Sequence, residues 1–207
     1  MITIIDYGAG NIRSVLRACA EVGAQAFIAS DPQVIAKAEK IIFPGVGAAP
    51  SAMKNLIKTR LDAAIINAFK AGIPILGVCI GAQIALDSSE EGPQKCLGLV
   101  PGKTVRFRLK DKLLKIPHMG WNEVKVVQPH PLLAGIKPGD EFYFVHSFYP
   151  QPAEKINIYA VADYGGDFCC ALGSRNLFAT QFHPEKSGRL GLELLARFAN
   201  WDGNIDS

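Results

Sequence analysis

IPILGVCIGAQ, residues 73–83, is the stretch that decides the fold. An apolar run ends in a cysteine that has a glycine two positions before it and another two positions after. An inert buried thiol needs no such flanking. A cysteine forced onto a tight strand-to-helix bend does, because side chains at those two positions would collide across the bend. This is the G-x-nucleophile-x-G turn, which presents a reactive atom on a strained corner at a helix start. It predicts a strand over 73–79 leading directly into a helix, with Cys79 at the strand's carboxyl end, where open parallel sheets bind ligands. The helix start adds partial positive charge beside the sulfur. Taken alone, the cysteine also fits a core residue, since free cysteines are commonly buried.

Working outward, the first half alternates apolar β-type runs with helical patterns. ITIIDY (2–7), AQAFIAS (24–30) and KIIFPG (40–45) read as strands. Between and after them come the helical patterns NIRSVLRACAEVG (11–23), PQVIAKA (32–38) and SAMKNLIKTRLDAAIINAFKAG (51–72), the last read as one long helix ending at Gly72. Asp31 followed by Pro32 reads as an N-cap and first helical position. Strands this apolar on both faces predict an open, mostly parallel sheet with helices on either side, an α/β fold.

Past Pro93 the segments 103–118, 122–128, 141–150, 156–165, 168–174 and 177–183 are short, turn-bounded and partly alternating. They predict antiparallel hairpins that extend or flank the sheet, and GRLGLELLARFANW (188–201) predicts a closing helix. No repeat or low-complexity linker interrupts the chain, so residues 1–207 read as a single domain.

Composition excludes several classes. With 49% hydrophobic and 20% charged residues the chain is not disordered, and a net charge of +3 argues for no nucleic acid. No run reaches the roughly 18 apolar residues of a membrane span. The start MITIID lacks the features of a signal peptide, which predicts a cytoplasmic protein. Five cysteines without a CxxC pair point to neither a disulfide framework nor a metal site.

A nucleophilic cysteine needs a base, and there are four histidines to choose from: His118, His130, His146 and His183. His130, between two prolines in QPHPLL, reads as a surface loop; His118 and His146 read as packing residues. His183 ends a strand in QFHPEKSG, and Glu185 lies two positions on. In extended chain those two side chains project to the same side, so Glu185 can fix the imidazole tautomer whose other nitrogen faces the sulfur. Pro44-Gly45-Val46-Gly47 ends another strand at the same sheet edge. Its backbone amides, with the N–H of Ile80, are candidates for an oxyanion hole at Val46, Gly47 and Ile80.

With these elements in this order, the chain resembles the class I, or triad, glutamine amidotransferases. Within them it is similar to the glutaminase subunits of imidazole glycerol phosphate synthase. The likeness runs almost end to end through IIDYGAGN, PGVGA, GVCIGAQ, IPHMGWN, YFVHSF and QFHPEKSG. One departure is Ala82, where that branch usually has methionine. The resemblance implies Cys79 as nucleophile, His183 as base and acid, and Glu185 as its orienting partner. It implies that glutamine is held by Gly45, Gly47, Gln83, Tyr143, His146, Ser147 and Phe148, with no cofactor and no metal. Ammonia would pass to a separate (β/α)8-barrel cyclase subunit, making a heterodimer in histidine biosynthesis. Asn11, Trp121 and Lys186 match positions that face this partner. The family also implies that the Val46 turn rearranges when the partner is loaded, so the isolated chain should be a weak glutaminase.

Three other readings remain at this stage. A paralogous glutaminase would feed a different, sugar-modifying synthase; a cysteine redox sensor or protease-like relative would share the fold; a non-enzymatic scaffold would share only the shape. His183-Pro-Glu185 and Gln83 disfavour the sensor. Gly8-Ala9-Gly10 lacks the third glycine of a dinucleotide loop, which is Arg13 here. The cluster Lys103, Arg106, Arg108, Lys110, Lys112 and Lys115 reads as a solvated hairpin edge.

Overall fold

The computed structural model describes residues 1–8, 10–92 and 94–205. Ala9 of the glycine loop and Pro93, where the hairpin-rich half begins, lie outside them. The first half runs β1 (Ile2–Ile5), α1 (Ile12–Glu21), β2 (Ala26–Ala29), α2 (Pro32–Ile35), β3 (Lys40–Phe43), α3 (Ala49–Thr59), α4 (Leu61–Lys70), β4 (Ile75–Val78) and α5 (Ile80–Ile84). The second half adds β5 (Ser88–Ser89), β6 (Gln94–Lys95), β7 (Gly102–Arg106), β8 (His118–Glu123), β9 (Lys125–Val126), β10 (Glu141–His146), β11 (Phe148–Pro152), β12 (Ile158–Asp163), β13 (Asp167–Ser174), β14 (Leu177–Thr180) and α6 (Gly188–Asn200).

Eight strands form the main sheet in the order β2-β1-β3-β4-β14-β13-β12-β9. The five from β2 to β14 are parallel; β13, β12 and β9 continue antiparallel. Alternation along each strand sends neighbouring side chains to opposite faces. Ile41, Phe43 and Ile75 enter the core shared with Met53, Leu56, Leu61 and Ile65 of α3 and α4. Ile42, Leu76 and Val78 enter the core shared with Val15, Leu194 and Phe198 of α1 and α6. Both faces are therefore covered, which is why these strands are apolar throughout.

Three expectations need correction. The helix expected over 51–72 is two helices, α3 and α4, broken at Arg60, whose φ of +61° is left-handed. The apolar periodicity continues across the break because both helices bury the same side. The hairpins both extend and flank the main sheet, as expected: β13, β12 and β9 continue it, while β11-β7-β5-β6 and β10-β8 form two separate sheets. Segment 141–150 is accordingly two strands, parting at Ser147 into different sheets. The basic cluster is not a hairpin edge either. Lys103 and Arg106 lie on β7, which is paired on both sides by β11 and β5, and the other four follow in the loop before β8.

His130, expected in a surface loop, is buried. It is 5% exposed, its ring stacked on Phe178 at 4.1 Å and edge-on to Trp201 at 5.2 Å. Its Nδ1 accepts from the Leu132 N–H at 3.1 Å, so the flanking prolines shape a buried turn rather than an exposed loop.

Candidate active site

The carboxyl ends of β3, β4 and β14 lie side by side, and each delivers one part of the site. In the register of the sheet Gly77 is flanked by Phe43 on β3 and Ala179 on β14. Cys79 follows β4 with φ +54° and ψ −102°, a conformation that costs a non-glycine residue about 1–3 kcal/mol. Its N–H is fastened to Thr180 O at 2.7 Å, and its own carbonyl accepts from the Ala82 and Gln83 N–H groups at 3.0 and 3.2 Å. The bend is thus clamped on both sides.

The two flanking glycines answer different contacts. A Cβ on Gly77 would lie 2.9 Å from Ala179 Cβ and 3.1 Å from the Gly81 backbone, so this one does face a collision across the bend. A Cβ on Gly81 would lie 2.1 Å from the Phe43 carbonyl oxygen, so the obstacle there is the neighbouring strand. Ala82, beside it, is fully buried in the core beneath the site.

His183 follows β14. Its Nδ1 bonds Glu185 Oε1 at 2.8 Å, with both side chains shut away from solvent. The local geometry is not the extended chain expected: residues Pro184–Lys186 form a 3-10 turn that folds Glu185 back onto the ring. The His183 N–H donates to Tyr143 O at 2.9 Å, and Ser187 Oγ donates to the His183 carbonyl at 2.6 Å while accepting the Tyr143 N–H at 3.0 Å. Because the 2.8 Å bond holds Nδ1 on the carboxylate, the ring is the tautomer with its proton there, or the imidazolium. Among the described residues, Nε2 has no hydrogen-bond partner. Burial works against a charge on this ring, but the Cys79 sulfur and then Glu185 outweigh it and raise His183 to about 10. Burial opposes a charge on Glu185 as well, but the bonds from His183 and then Asn11 hold its carboxyl below the usual carboxylate range.

Cys79 and His183 line one cavity of about 150 Å³, together with Val46, Gly47, Ile80, Gln83, Glu91, Val145, His146 and Phe148. Liquid water occupies roughly 30 Å³ per molecule, so the space suits a ligand of amino-acid size. Gly45, Tyr143 and Ser147, expected to hold the substrate, lie outside this lining. Glu91 was not foreseen; one of its carboxylate oxygens accepts the Ala49 N–H at 2.8 Å, just past the Val46–Gly47 turn.

Asn11, expected at the partner surface, is 7% exposed, with Nδ2 donating to Glu185 Oε1 at 2.9 Å. Standing ahead of α1, close to the carboxyl end of β1, it turns inward toward the site rather than outward. Trp121, whose place after a glycine in a loop also suits a core plug, is exposed, as is Lys186, and they share a neighbour. The Trp121 ring meets Tyr143 edge-on at 6.1 Å, and Lys186 Nζ lies 5.7 Å over the face of the same tyrosine.

The glutamine amidotransferase class-I family profile matches residues 3–200, nearly the whole chain. The chain belongs to the class-I glutamine amidotransferases. Its curated relatives in this family include the imidazole glycerol phosphate synthase subunit HisH of Chromobacterium violaceum, 46% identical over 99% of both chains. The subunit of the same name from Nitratidesulfovibrio vulgaris is 48% identical over 96% of this chain and 95% of its own. That of Dehalococcoides mccartyi is 48% identical over 96% of each. Among solved structures, a glutamine amidotransferase superposes with a TM-score of 0.75 at 16% identity, covering 97% of this chain and all of its own. PurLQS from Thermotoga maritima superposes at 0.71 and 18% identity, covering 96% and 97%. These two likenesses concern the fold. The glutamine amidotransferase architecture of a mostly parallel sheet with helices on both faces agrees with that expected from GVCIGAQ and its flanks.

Proposed function

We propose that this chain is the glutaminase subunit of imidazole glycerol phosphate synthase, hydrolysing glutamine to glutamate and ammonia through Cys79, His183 and Glu185. The observation that carries the reading is the Glu185-held imidazole lining the same amino-acid-sized cavity as the cysteine on its forced turn. The near full-length identity to HisH subunits supplies the client reaction in histidine biosynthesis.

The chemistry balances on these groups. With glutamine in the cavity, Cys79 Sγ as thiolate adds to the side-chain amide carbon. The oxygen takes the charge and is held by the Ile80 N–H and an N–H of the Val46–Gly47 turn, each such donor contributing on the order of 10²–10³-fold. His183 Nε2–H passes its proton to the departing nitrogen, the C–N bond breaks, and ammonia leaves a γ-glutamyl thioester. Water then gives a proton to Nε2 as its oxygen attacks the thioester. Collapse breaks the C–S bond and releases glutamate. Proton transfer of this kind contributes on the order of 10²–10⁴-fold.

Binding follows from donor counting. Both N–H bonds of the Gln83 amide are engaged, on Phe148 O at 2.9 Å and on Gln181 Oε1 at 3.0 Å. Only its oxygen is left for a ligand, so Gln83 accepts from the substrate. An α-ammonium group fits that oxygen and the nearby Glu91 carboxylate.

Ammonia released into neutral water becomes ammonium and loses its nucleophilicity, which calls for direct transfer to a second subunit. A (β/α)8-barrel cyclase acting on a ribulosyl phosphate is the partner in this reading, and exposed Trp121 and Lys186, with half-buried Tyr143 between them, form its docking surface. No helix among the described residues is long and apolar enough to cross a membrane. A cytoplasmic heterodimer suits a biosynthetic enzyme. The test is glutamate release by the chain with and without the cyclase and its phosphorylated substrate. Strong stimulation by the loaded cyclase, lost in Cys79→Ala, is expected; equal turnover in all cases refutes the assignment.

A further inference from the structure

We propose that Gln181 is a further catalytic residue, whose side-chain N–H receives the Cys79 sulfur as thiolate before attack and again as leaving group when the thioester breaks. Its Nε2 lies 3.5 Å from Cys79 Sγ, it is wholly buried, and it is not among the residues that line the cavity. It therefore reaches the sulfur from the protein side, opposite the space the substrate fills.

An amide could turn either its N–H or its oxygen to the sulfur, and the surrounding hydrogen bonds decide which. Phe148 O accepts from Gln83 Nε2 at 2.9 Å, so a flipped Gln83 would press oxygen against oxygen. The same Gln83 Nε2 donates to Gln181 Oε1 at 3.0 Å, so a flipped Gln181 would press donor against donor. With Oε1 fixed on Gln83, Gln181 has only N–H to offer the sulfur.

The anchor of this chain is itself held from behind. His146 Nδ1 lies 2.8 Å from the same Phe148 carbonyl and must donate to it. Its Nε2 must then accept from His118 Nδ1 at 3.0 Å, leaving His118 Nε2 to accept from Asn122 Nδ2 at 3.4 Å. Burial pushes His146 down to about 3 and His118 to about 4, so both rings are neutral at pH 7 and each keeps one donor and one acceptor. From Asn122 to the sulfur every donor meets an acceptor, and both arms take their direction from the Phe148 carbonyl, which can only accept. Such a fully satisfied buried network specifies a single arrangement.

The balance of the step is simple. When the thioester carbon takes up water, the C–S electron pair returns to sulfur, and the Gln181 N–H is already placed to accept that charge. Nothing is oxidised and the proton stays with His183.

This role rests on the glutaminase reading, and the experiment separates the two. The full chain is assembled with its cyclase and compared with Gln181→Met, an unbranched side chain without a donor, and with Gln181→Glu, the isosteric acid. Expected for Q181M is a kcat about ten-fold lower with the glutamine KM within about two-fold, slower alkylation of Cys79 by iodoacetamide at fixed pH, and γ-glutamyl thioester accumulating in quenched samples by mass spectrometry. Q181E, which sets a carboxylate against the sulfur, is expected to lose more in both rates. A packing role alone would not build up the thioester. Should Q181M fail to fold, the kcat and alkylation rate of Q181E decide. Wild-type kcat and alkylation in either folded variant overturn the assignment. If 6-diazo-5-oxo-norleucine fails to label Cys79 in the unaltered complex, the glutaminase reading itself falls and takes this role with it.

Discussion

Asn11 and Glu185, 174 positions apart, are joined by a 2.9 Å bond from Nδ2 to Oε1, the same oxygen that holds His183 Nδ1 at 2.8 Å. One carboxylate oxygen therefore carries both the His183 ring and an amide from the opposite end of the chain. A hydrogen bond to a charged group contributes about 1.5–3 kcal/mol. Asn11→Ala is expected to lower kcat for glutamine roughly ten- to a hundred-fold with little change in KM, because the ring loses orientation rather than the pocket its shape. Steady-state glutamate release in the assembled complex measures it; an unchanged kcat would show that Glu185 needs no such support.

The electrostatic tie between Cys79 and His183 has a pH signature. His183 is raised to about 10 with the sulfur as the leading favourable influence after burial's opposing one. A raised histidine adds stability that is complete below its unfolded value of about 6.5 and fades as pH climbs through the folded value. Unfolding free energy from denaturant titrations is expected to decline between about pH 7 and 10. Cys79→Ala removes the largest upward influence, so the His183 imidazole resonance should titrate well below its wild-type position, and the decline should flatten. An imidazole titration identical in both proteins refutes the coupling.

Sequence and structure part company in instructive places. The cysteine turn was legible because glycines two positions either side of Cys79 mark a bend, although the contacts that require them come largely from the neighbouring strands. The His183–Glu185 contact was legible from proximity in the chain, although a 3-10 turn and not a strand creates it. Asn11, Glu91 and Gln181 were not, since each earns its place through contacts with residues far away in sequence. His130 misled because prolines on both sides signal a turn but say nothing about whether an aromatic cluster closes over it. The break at Arg60 was hidden because a left-handed residue between helices is normally announced by glycine.

Gly81→Ala tests the neighbouring-strand contact. Its Cβ would meet the Phe43 carbonyl at 2.1 Å, and that carbonyl belongs to β3 within the sheet. Neither side can yield without shifting a strand, so the cost should reach or exceed the roughly 1–3 kcal/mol of ordinary overpacking. Lower thermal stability with the glutaminase rate reduced in the surviving folded protein is expected; wild-type values for both would refute the contact with Phe43 as the reason for glycine at this position.

Arg60→Gly should act in the opposite direction. Arg60 is exposed with φ +61° at the junction of α3 and α4. A left-handed conformation costs an L-residue roughly 1–2 kcal/mol and glycine nothing, though glycine's freer unfolded chain takes part of that back. A net gain near 1 kcal/mol corresponds to roughly 2–4 °C in a chain of this size. Differential scanning calorimetry reads the shift, and a lower Tm would show that the arginine side chain contributes more than its backbone strain costs.

Trp121 is the residue on which partner binding should depend most. It is 53% exposed on β8, on the same side of the strand as exposed Met119 and edge-on to Tyr143, whose ring also carries Lys186. Alternation along β8 sends His118 into the core and Trp121 outward, so the indole can be removed without opening a cavity. Tryptophans at the centre of an interface commonly cost 2 kcal/mol or more when truncated to alanine. Trp121→Ala is therefore expected to weaken binding to the cyclase by about thirty-fold or more, while the isolated chain keeps its Tm within about 1 °C and its alkylation rate at Cys79. Lys186→Ala, on the rim of the same patch, should cost less and in a salt-dependent way. Titration calorimetry of each variant against the cyclase ranks the two, and an affinity unchanged by losing the indole would move the docking surface elsewhere.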